Sequence, residues 1–289
     1  MDEREKVSLG AVRVAMGTNI VLAIIKVVLG IIGDSIALIG DGLDTTVDVV
    51  KNIIVYKGTQ IAAQPPDAEH PYGHGGAETI SSSIIGVSVV FAGILLITQA
   101  IGRFGKTQAM DTLMIIGASI SIVGKIFLSK YMNSVGKKVN NFALIANAKD
   151  YLGDVLASVA VLVGGIIIMF TGKTYFDSIA SLFVSFFVMY MGIDILRPAV
   201  SEVMEANAPE IVSQVEDIIT GFKDVYNPHQ IRVRKLGSDY FIDVHIEFMP
   251  DMPIIKVHDI ATEVEEEIKT KVPNVKEVII HPEPYTKTS

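Results

Sequence analysis

Asp44 and Asp48 sit in one long apolar stretch of the chain, and Asp150 and Asp154 sit in another. Each pair is spaced Asp-x-x-x-Asp, which on a helix puts both carboxylates on one face, one turn apart. The pattern extends upstream in both. Asp41, Asp44 and Asp48 fall at i, i+3 and i+7, and so do Asn147, Asp150 and Asp154. An ionised carboxylate at membrane depth costs about 2.5–3.5 kcal/mol on insertion scales unless it is paired, hydrated or metal-bound. Two matched pairs in such surroundings point to cation binding, with hydrogen bonding between helices as the plainer alternative. Every candidate ligand in these stretches is oxygen. Such a set suits hard cations, Mn²⁺, Mg²⁺ or Ca²⁺, better than imidazole-favouring Zn²⁺. Asp41 and Asn147 are possible accessory ligands, because hard ions accept six or more oxygens.

All six histidines lie outside the apolar stretches. His70 and His74 belong to a polar loop, Asp67-Ala68-Glu69-His70-Pro71-Tyr72-Gly73-His74-Gly75-Gly76-Ala77-Glu78, and His229, His245, His258 and His281 belong to the C-terminal part. Asp67, His70 and His74 are close enough in sequence to form a mixed nitrogen and oxygen metal site. A solvated loop with incidental histidines is the alternative. The chain contains no cysteine, which excludes disulfides and thiolate-based zinc or copper(I) chemistry.

The elements that must position these residues follow from the apolar pattern. Half of the 289 residues are hydrophobic and the mean hydropathy is +0.46, too apolar for an ordinary soluble enzyme. Six stretches match the roughly 20 residues that a spanning helix needs. They are Ala11–Ile32, Ile36–Ile61, Ile80–Ile101, Thr112–Tyr131, Asn141–Phe170 and Phe176–Val200. The connections at Gly33-Asp34 and Thr171-Gly172-Lys173 are short, so their neighbours form hairpins. Arg4, Lys6, Arg13, Lys57, Lys130, Lys137, Lys138 and Arg197 fall on one side, against Arg103, Lys106 and Lys173 on the other. The excess of basic residues predicts both termini in the cytoplasm of a multi-pass cell-membrane protein. The second and fifth spans then bring all four carboxylates to similar depth. The third, fourth and sixth carry few interior charges and read as packing or lipid-facing helices. Lys26 and Lys51, also interior, read as counter-charges or snorkelling side chains. Gly40, Gly42 and Gly153 flank the acids and would allow close helix approach. The N-terminus lacks an apolar core and cleavage site of its own, so no signal peptide is expected.

After Pro198 the composition changes. Pro209–Phe222 reads as a helix, Gln230–Arg234 and Tyr240–Phe248 as strands joined through a turn at Gly237, Val257–Lys271 as an amphipathic helix and Val278–His281 as a last strand. The order α-β-β-α-β predicts a small α+β domain that resembles the ferredoxin-like heavy-metal-binding arrangement. The expected division is 1–204, an α-helical transmembrane transport domain of six helices, and 205–289, a cytoplasmic metal-binding domain. The second part holds 16 Asp/Glu and 9 Lys/Arg, a balance of 9 − 16 = −7, and the whole chain is −8. That balance argues against nucleic acid as a partner.

Six spans, an Asp-x-x-x-Asp pair in spans two and five, the loop DAEHPYGHGGAE and a small α/β tail together resemble the cation diffusion facilitator family over nearly the whole chain. The resemblance implies a secondary transporter, not an enzyme. It implies a homodimer in membrane lipid that exports divalent metal from the cytoplasm in exchange for protons by alternating access. It also implies that Asp44, Asp48, Asp150 and Asp154 form the transport site and that Asp67, His70 and His74 form a loop site. His229, His245 and His281 with Glu283, and His258 as an accessory, match positions that bind metal in the cytoplasmic domain. Many zinc-selective relatives have His at the first place of the pair in span five and often in span two. Asp at both resembles the manganese-type branch, so Mn²⁺ is the expected cargo, with Zn²⁺, Co²⁺ and Fe²⁺ as alternatives. Relatives commonly carry Lys where this chain has Gly76, so an ion-pair latch through that Lys is absent or replaced. Four carboxylates without a cation would repel one another and bind protons, and metal would displace those protons. The rival classes are a passive divalent channel, a metal sensor and an intramembrane aspartyl protease. The protease needs one Asp per helix, not matched pairs, and leaves the loop unexplained.

Overall fold

The computed structural model describes residues 3–32, 36–102, 112–171 and 175–286. The hairpin connections expected at Gly33-Asp34 and Gly172-Lys173, with Arg103 and Lys106, lie outside the described residues. The chain divides into two compact units, Met1–Ala199 and Val200–Ser289.

The first unit is built from long helices: α1 (Glu3–Ile32), α2 (Ile36–Ala62), α3 (Gly76–Gly102), α4 (Thr112–Lys138), α5 (Phe142–Thr171) and α6 (Tyr175–Val203), the last running into the second unit. Among the described residues four helices are long and apolar enough to cross a membrane: Glu3–Ile32, Gly76–Gly102, Ile115–Lys138 and Ser181–Val203. The other two, α2 and α5, are the ones that carry the acid pairs. Alongside an apolar core, the helices bury polar side chains and leave many large aliphatic ones exposed. Helix α1 buries Ser8, Asn19 and Lys26 while Val21, Ile24, Val28 and Ile31 are exposed; α3 buries Glu78, Ser81 and Ser82 while Val87 and Phe91 are exposed. Water would not tolerate so many exposed aliphatic side chains, whereas hydrocarbon leaves buried polar contacts and close packing to hold helices together.

Close packing is visible at two glycines beside the acid pairs. A Cβ on Gly42 would lie 2.7 Å from Val27 Cγ2 and 3.2 Å from the Val27 backbone nitrogen, so α2 presses directly on α1. A Cβ on Gly124 would lie 2.9 Å from Leu22 Cδ1, which sets α4 against α1. Of the three glycines expected to permit close approach, Gly42 does so. Gly40 has nothing within 4 Å, and Gly153 would meet only Val188 Cγ1 at an ordinary 3.8 Å. Gly42→Leu is expected to lower stability by about 1–3 kcal/mol through overpacking, read as a lower thermal midpoint of the purified protein. Gly40→Leu should leave that midpoint near wild type.

The second unit has the order α7 (Pro209–Thr220), β1 (Tyr226–Leu236), β2 (Asp239–Phe248), α8 (Ile254–Lys271) and β3 (Val275–Pro284). Its sheet runs β1-β2-β3, with β1–β2 antiparallel and β2–β3 parallel. A tight turn at Gly237, φ +62°, joins the antiparallel pair, where a left-handed conformation favours glycine. The parallel pair needs a crossover, and α8 supplies it. Ile242, Val244 and Ile246 of β2 are buried with Val215 and Ile219 of α7 and Val264 and Ile268 of α8. The side-chain alternation of a strand therefore sends His245 to the opposite face of the sheet.

Candidate metal sites

Asp48 of α2 and Asp150 and Asp154 of α5 converge, each offering an oxygen within 4.8 Å of the others. The side chains of Asp48 and Asp150 are 5% and 4% exposed, that of Asp154 32%. Asp44 does not join them: it is exposed on α2. Asp41 is engaged elsewhere, 2.8 Å from Lys26 Nζ of α1. Three of the four expected carboxylates meet, and the fourth stands one turn away along α2.

The cluster does not consist of bare acids. Lys51 Nζ lies 2.9 and 2.7 Å from the two oxygens of Asp150 and 3.1 Å from Asp48 Oδ1. Lys125 Nζ, from α4, lies 2.8 Å from Asp48 Oδ2 and 2.5 Å from Asp154 Oδ2. The expected mutual repulsion of empty carboxylates is thus offset by two ammonium groups. Lys51 acts as a counter-charge. Sequence reasoning missed Lys125, because its carboxylate partners lie on other helices, 77 and 29 residues away. Helix α4 is therefore more than a packing helix.

One turn from the cluster, toward the α2 C-terminus and the α5 N-terminus, lies a buried amide and phenol network. Asn19 Nδ2 donates to Tyr151 Oη (2.9 Å), and Tyr151 Oη and Asn147 Nδ2 both donate to Asn52 Oδ1 (2.8 and 2.7 Å). Asn19 Oδ1 and Asn147 Oδ1 are buried with no hydrogen-bond partner among the described residues. Asn147, expected as an accessory ligand, thus pairs with Asn52, with an amide oxygen left over.

At the same end of the helices, Arg4 Nη2 grips both oxygens of buried Glu78 at 2.8 and 2.9 Å. Asn141 Nδ2 donates to Glu78 Oε1 (3.0 Å), and Asn141 Oδ1 accepts from the Leu144 backbone N–H (3.0 Å), capping α5. An ion pair therefore ties α1 to α3 two residues after Gly76.

The loop between α2 and α3 brings Asp67, His70 and His74 together within 4.8 Å. Asp67 Oδ1 accepts the backbone N–H groups of His70 (2.7 Å) and Glu69 (3.0 Å), and these bonds hold its carboxyl below the usual carboxylate range. His74 Nε2 is 3.3 Å from Asp67 Oδ2, and the two imidazole rings stand 4.6 Å apart. Gly73, at φ +91°, makes the reversal that lets them face.

In the sheet, His229, His245 and His281 occupy one cross-strand row, paired His229↔His245 and His245↔His281. Glu283 Oε1 is 2.9 Å from His245 Nδ1 and Glu283 Oε2 is 3.3 Å from His229 Nε2. The hydrogen bond with His245, then the neighbouring His229, holds the Glu283 carboxyl below its usual range. A carboxylate depressed in this way adds stability at neutral pH and loses it as pH falls through the carboxylate range. His229, His245 and Glu283 form the tight group. His281 is more exposed, its Nε2 3.7 Å from Glu283 Oε1. His258 lies exposed on α8, outside that group. Imidazole and carboxylate in this arrangement suit a borderline divalent metal. Such a metal at about 100 times its dissociation constant should stabilise the native state by about 2.7 kcal/mol. His245→Ala is expected to remove most of the metal-induced rise in thermal midpoint attributable to this unit. Because metal and protons compete for the same imidazole nitrogens, the rise should shrink on acidification.

Comparison with known proteins gives a consistent result. Residues 12–204 match the cation efflux transmembrane domain, and residues 208–285 match the cation efflux protein cytoplasmic domain. The manganese efflux system protein MneP of Bacillus subtilis is 35% identical over 98% of both chains. The manganese efflux system protein MneS of the same organism is 29% identical over 93% of this chain and 92% of its own. Among solved structures, the metal-bound C-terminal domain of the CzcD transporter from Thermotoga maritima is 26% identical. It covers 28% of this chain and 94% of that one, with a TM-score of 0.27. With both domains matched across almost its full length, the chain belongs to the cation efflux, or cation diffusion facilitator, family.

Proposed function

We propose that this protein exports divalent metal, Mn²⁺ foremost, from the cytoplasm in exchange for protons, working as a homodimer with six spanning helices and both termini inside. The observation that carries the reading is the convergence of Asp48, Asp150 and Asp154 from α2 and α5. These oxygen ligands suit a hard ion in transit. Asp44 is the next carboxylate along α2 on the outward path, and the free amide oxygen of Asn147 lies on the inward one. Metal and protons compete for the same oxygens, so exchange follows from one set of groups. The manganese efflux relatives MneP and MneS support the choice of ion. The loop and sheet sites, which contain imidazole, are proposed to bind regulatory metal and to couple cytoplasmic metal level to transport.

The test has two arms. In a cell stripped of its own exporters, the chain should restore resistance to Mn²⁺ more than to Zn²⁺, Co²⁺ or Fe²⁺. In proteoliposomes, Mn²⁺ flux should rise with an imposed proton gradient; flux indifferent to that gradient would mark a passive channel instead.

A further inference from the structure

The acid cluster raises a question of occupancy. Five of its six carboxylate oxygens already have an ammonium nitrogen within 3.1 Å: both of Asp48, both of Asp150 and Oδ2 of Asp154. Asp48 is shared, with one oxygen on Lys51 and the other on Lys125. A divalent ion held by Asp48, Asp150 and Asp154 must take those same oxygens. It would also stand against two positive groups at contact range, where low dielectric strengthens repulsion. Lysine and metal cannot both hold the cluster.

We propose that Lys51 and Lys125 are tethered counter-cations that occupy the cargo's place between transport events and compete with it for Asp48, Asp150 and Asp154. This rests on the transport-site reading above. The side chains are suited to the task. Each is a compact charge on a flexible four-carbon stem, and each comes from a different helix, α2 and α4. Arriving metal displaces the ammonium groups from the carboxylates. Their return helps to expel the ion, so the site does not trap what it must release. Without them, three converging carboxylates would bind a divalent ion more tightly and give it up more slowly. Lys125 thereby becomes a specificity-determining residue on a helix without an acid pair. A weak cation gains little from displacing two ammonium groups, so only an ion of high charge density is admitted.

The test is the concentration dependence of Mn²⁺ flux into proteoliposomes containing the full-length protein. Lys125→Met and Lys51→Met are each expected to lower the KM for Mn²⁺ by about tenfold and to lower the maximal rate. Lys125→Arg, which keeps a tethered cation, should restore a KM near wild type. A merely structural role for Lys125 would reduce the rate without tightening KM, and would not separate Arg from Met. If Lys125→Met does not yield folded protein, Lys51→Met decides by the same criterion. An unchanged or raised KM in the folded lysine-to-methionine variants overturns the proposal. Asp150→Asn, measured alongside, separates the two claims. If it loses flux while the lysine variants keep a wild-type KM, the competition fails and the transport site stands. If Asp150→Asn transports normally, the site itself is lost, and the competition with it.

Discussion

Asp150→Ala is expected to reduce Mn²⁺ flux by at least about 100-fold, the largest effect of any single substitution in the chain. Two costs combine. The first is a missing ligand, since Asp150 is one of three carboxylates that meet between α2 and α5. The second is a weakened ion pair, because Lys51 Nζ would keep only Asp48 Oδ1, at 3.1 Å. Asp150 receives both short contacts of Lys51 Nζ, at 2.9 and 2.7 Å. Removing one partner of a buried pair typically costs about 3–5 kcal/mol, and each 1.4 kcal/mol is a factor of about ten. Asp150→Asn keeps the shape and loses the charge, so it should show the ligand loss with less damage to folding. Initial Mn²⁺ uptake per reconstituted protein is the measurement, and wild-type uptake by Asp150→Asn would overturn the transport site. Asp44→Asn should cost less, because Asp44 is exposed and outside the cluster.

Glu78→Ala is expected to destabilise the helical unit by about 3 kcal/mol, the low end of the cost of breaking a buried pair. The Glu78 side chain is 1% exposed and that of Arg4 is 25% exposed, so Arg4 recovers some solvation and softens the loss. Asn141, however, is fully buried and loses a carboxylate acceptor while it caps α5. The loss should appear as a lower thermal midpoint and as faster proteolysis near the starts of α3 and α5. Arg4→Lys, with Glu78 in place, should cost less, because an ammonium keeps the charge beside Glu78 but loses the 2.8 Å bond from Arg4 Nε to the Val139 carbonyl. An unchanged midpoint in Glu78→Ala would show that this network does not hold the helices together.

Much of this arrangement is readable in the residues themselves, and the exceptions have geometric causes. The Asp-x-x-x-Asp spacing puts each pair on one face, yet four residues advance a helix by about 400°, leaving the two side chains about 40° apart. That offset is enough to bury Asp48 and expose Asp44. The same offset separates Asp150, 4% exposed, from Asp154, 32% exposed. Lys125 was illegible for another reason. Its partners are 77 and 29 residues away on other helices, and no local period encodes a contact between elements. The tail's order of helices and strands follows directly from its alternation and turn residues. Strand β1 nevertheless begins at Tyr226, earlier than the alternation from Gln230 suggests. Pro228 and the left-handed residues Asn227 and Gln230 interrupt the pattern there, while the register shifts on both sides of His229 still allow pairing. His229, His245 and His281 lie far apart in sequence, and only the pairing of three strands reveals them as one row.

The most direct measurement is the position of the ion itself. Crystals of the full-length protein grown with Mn²⁺ and measured at the manganese absorption edge should show an anomalous peak between α2 and α5, ringed by the oxygens of Asp48, Asp150 and Asp154, with the Lys51 and Lys125 ammonium groups withdrawn from those oxygens. Peaks confined to Asp67, His70 and His74, or to His229, His245 and Glu283, with both lysines still seated on the carboxylates under saturating Mn²⁺, would contradict a transport site at the acid cluster.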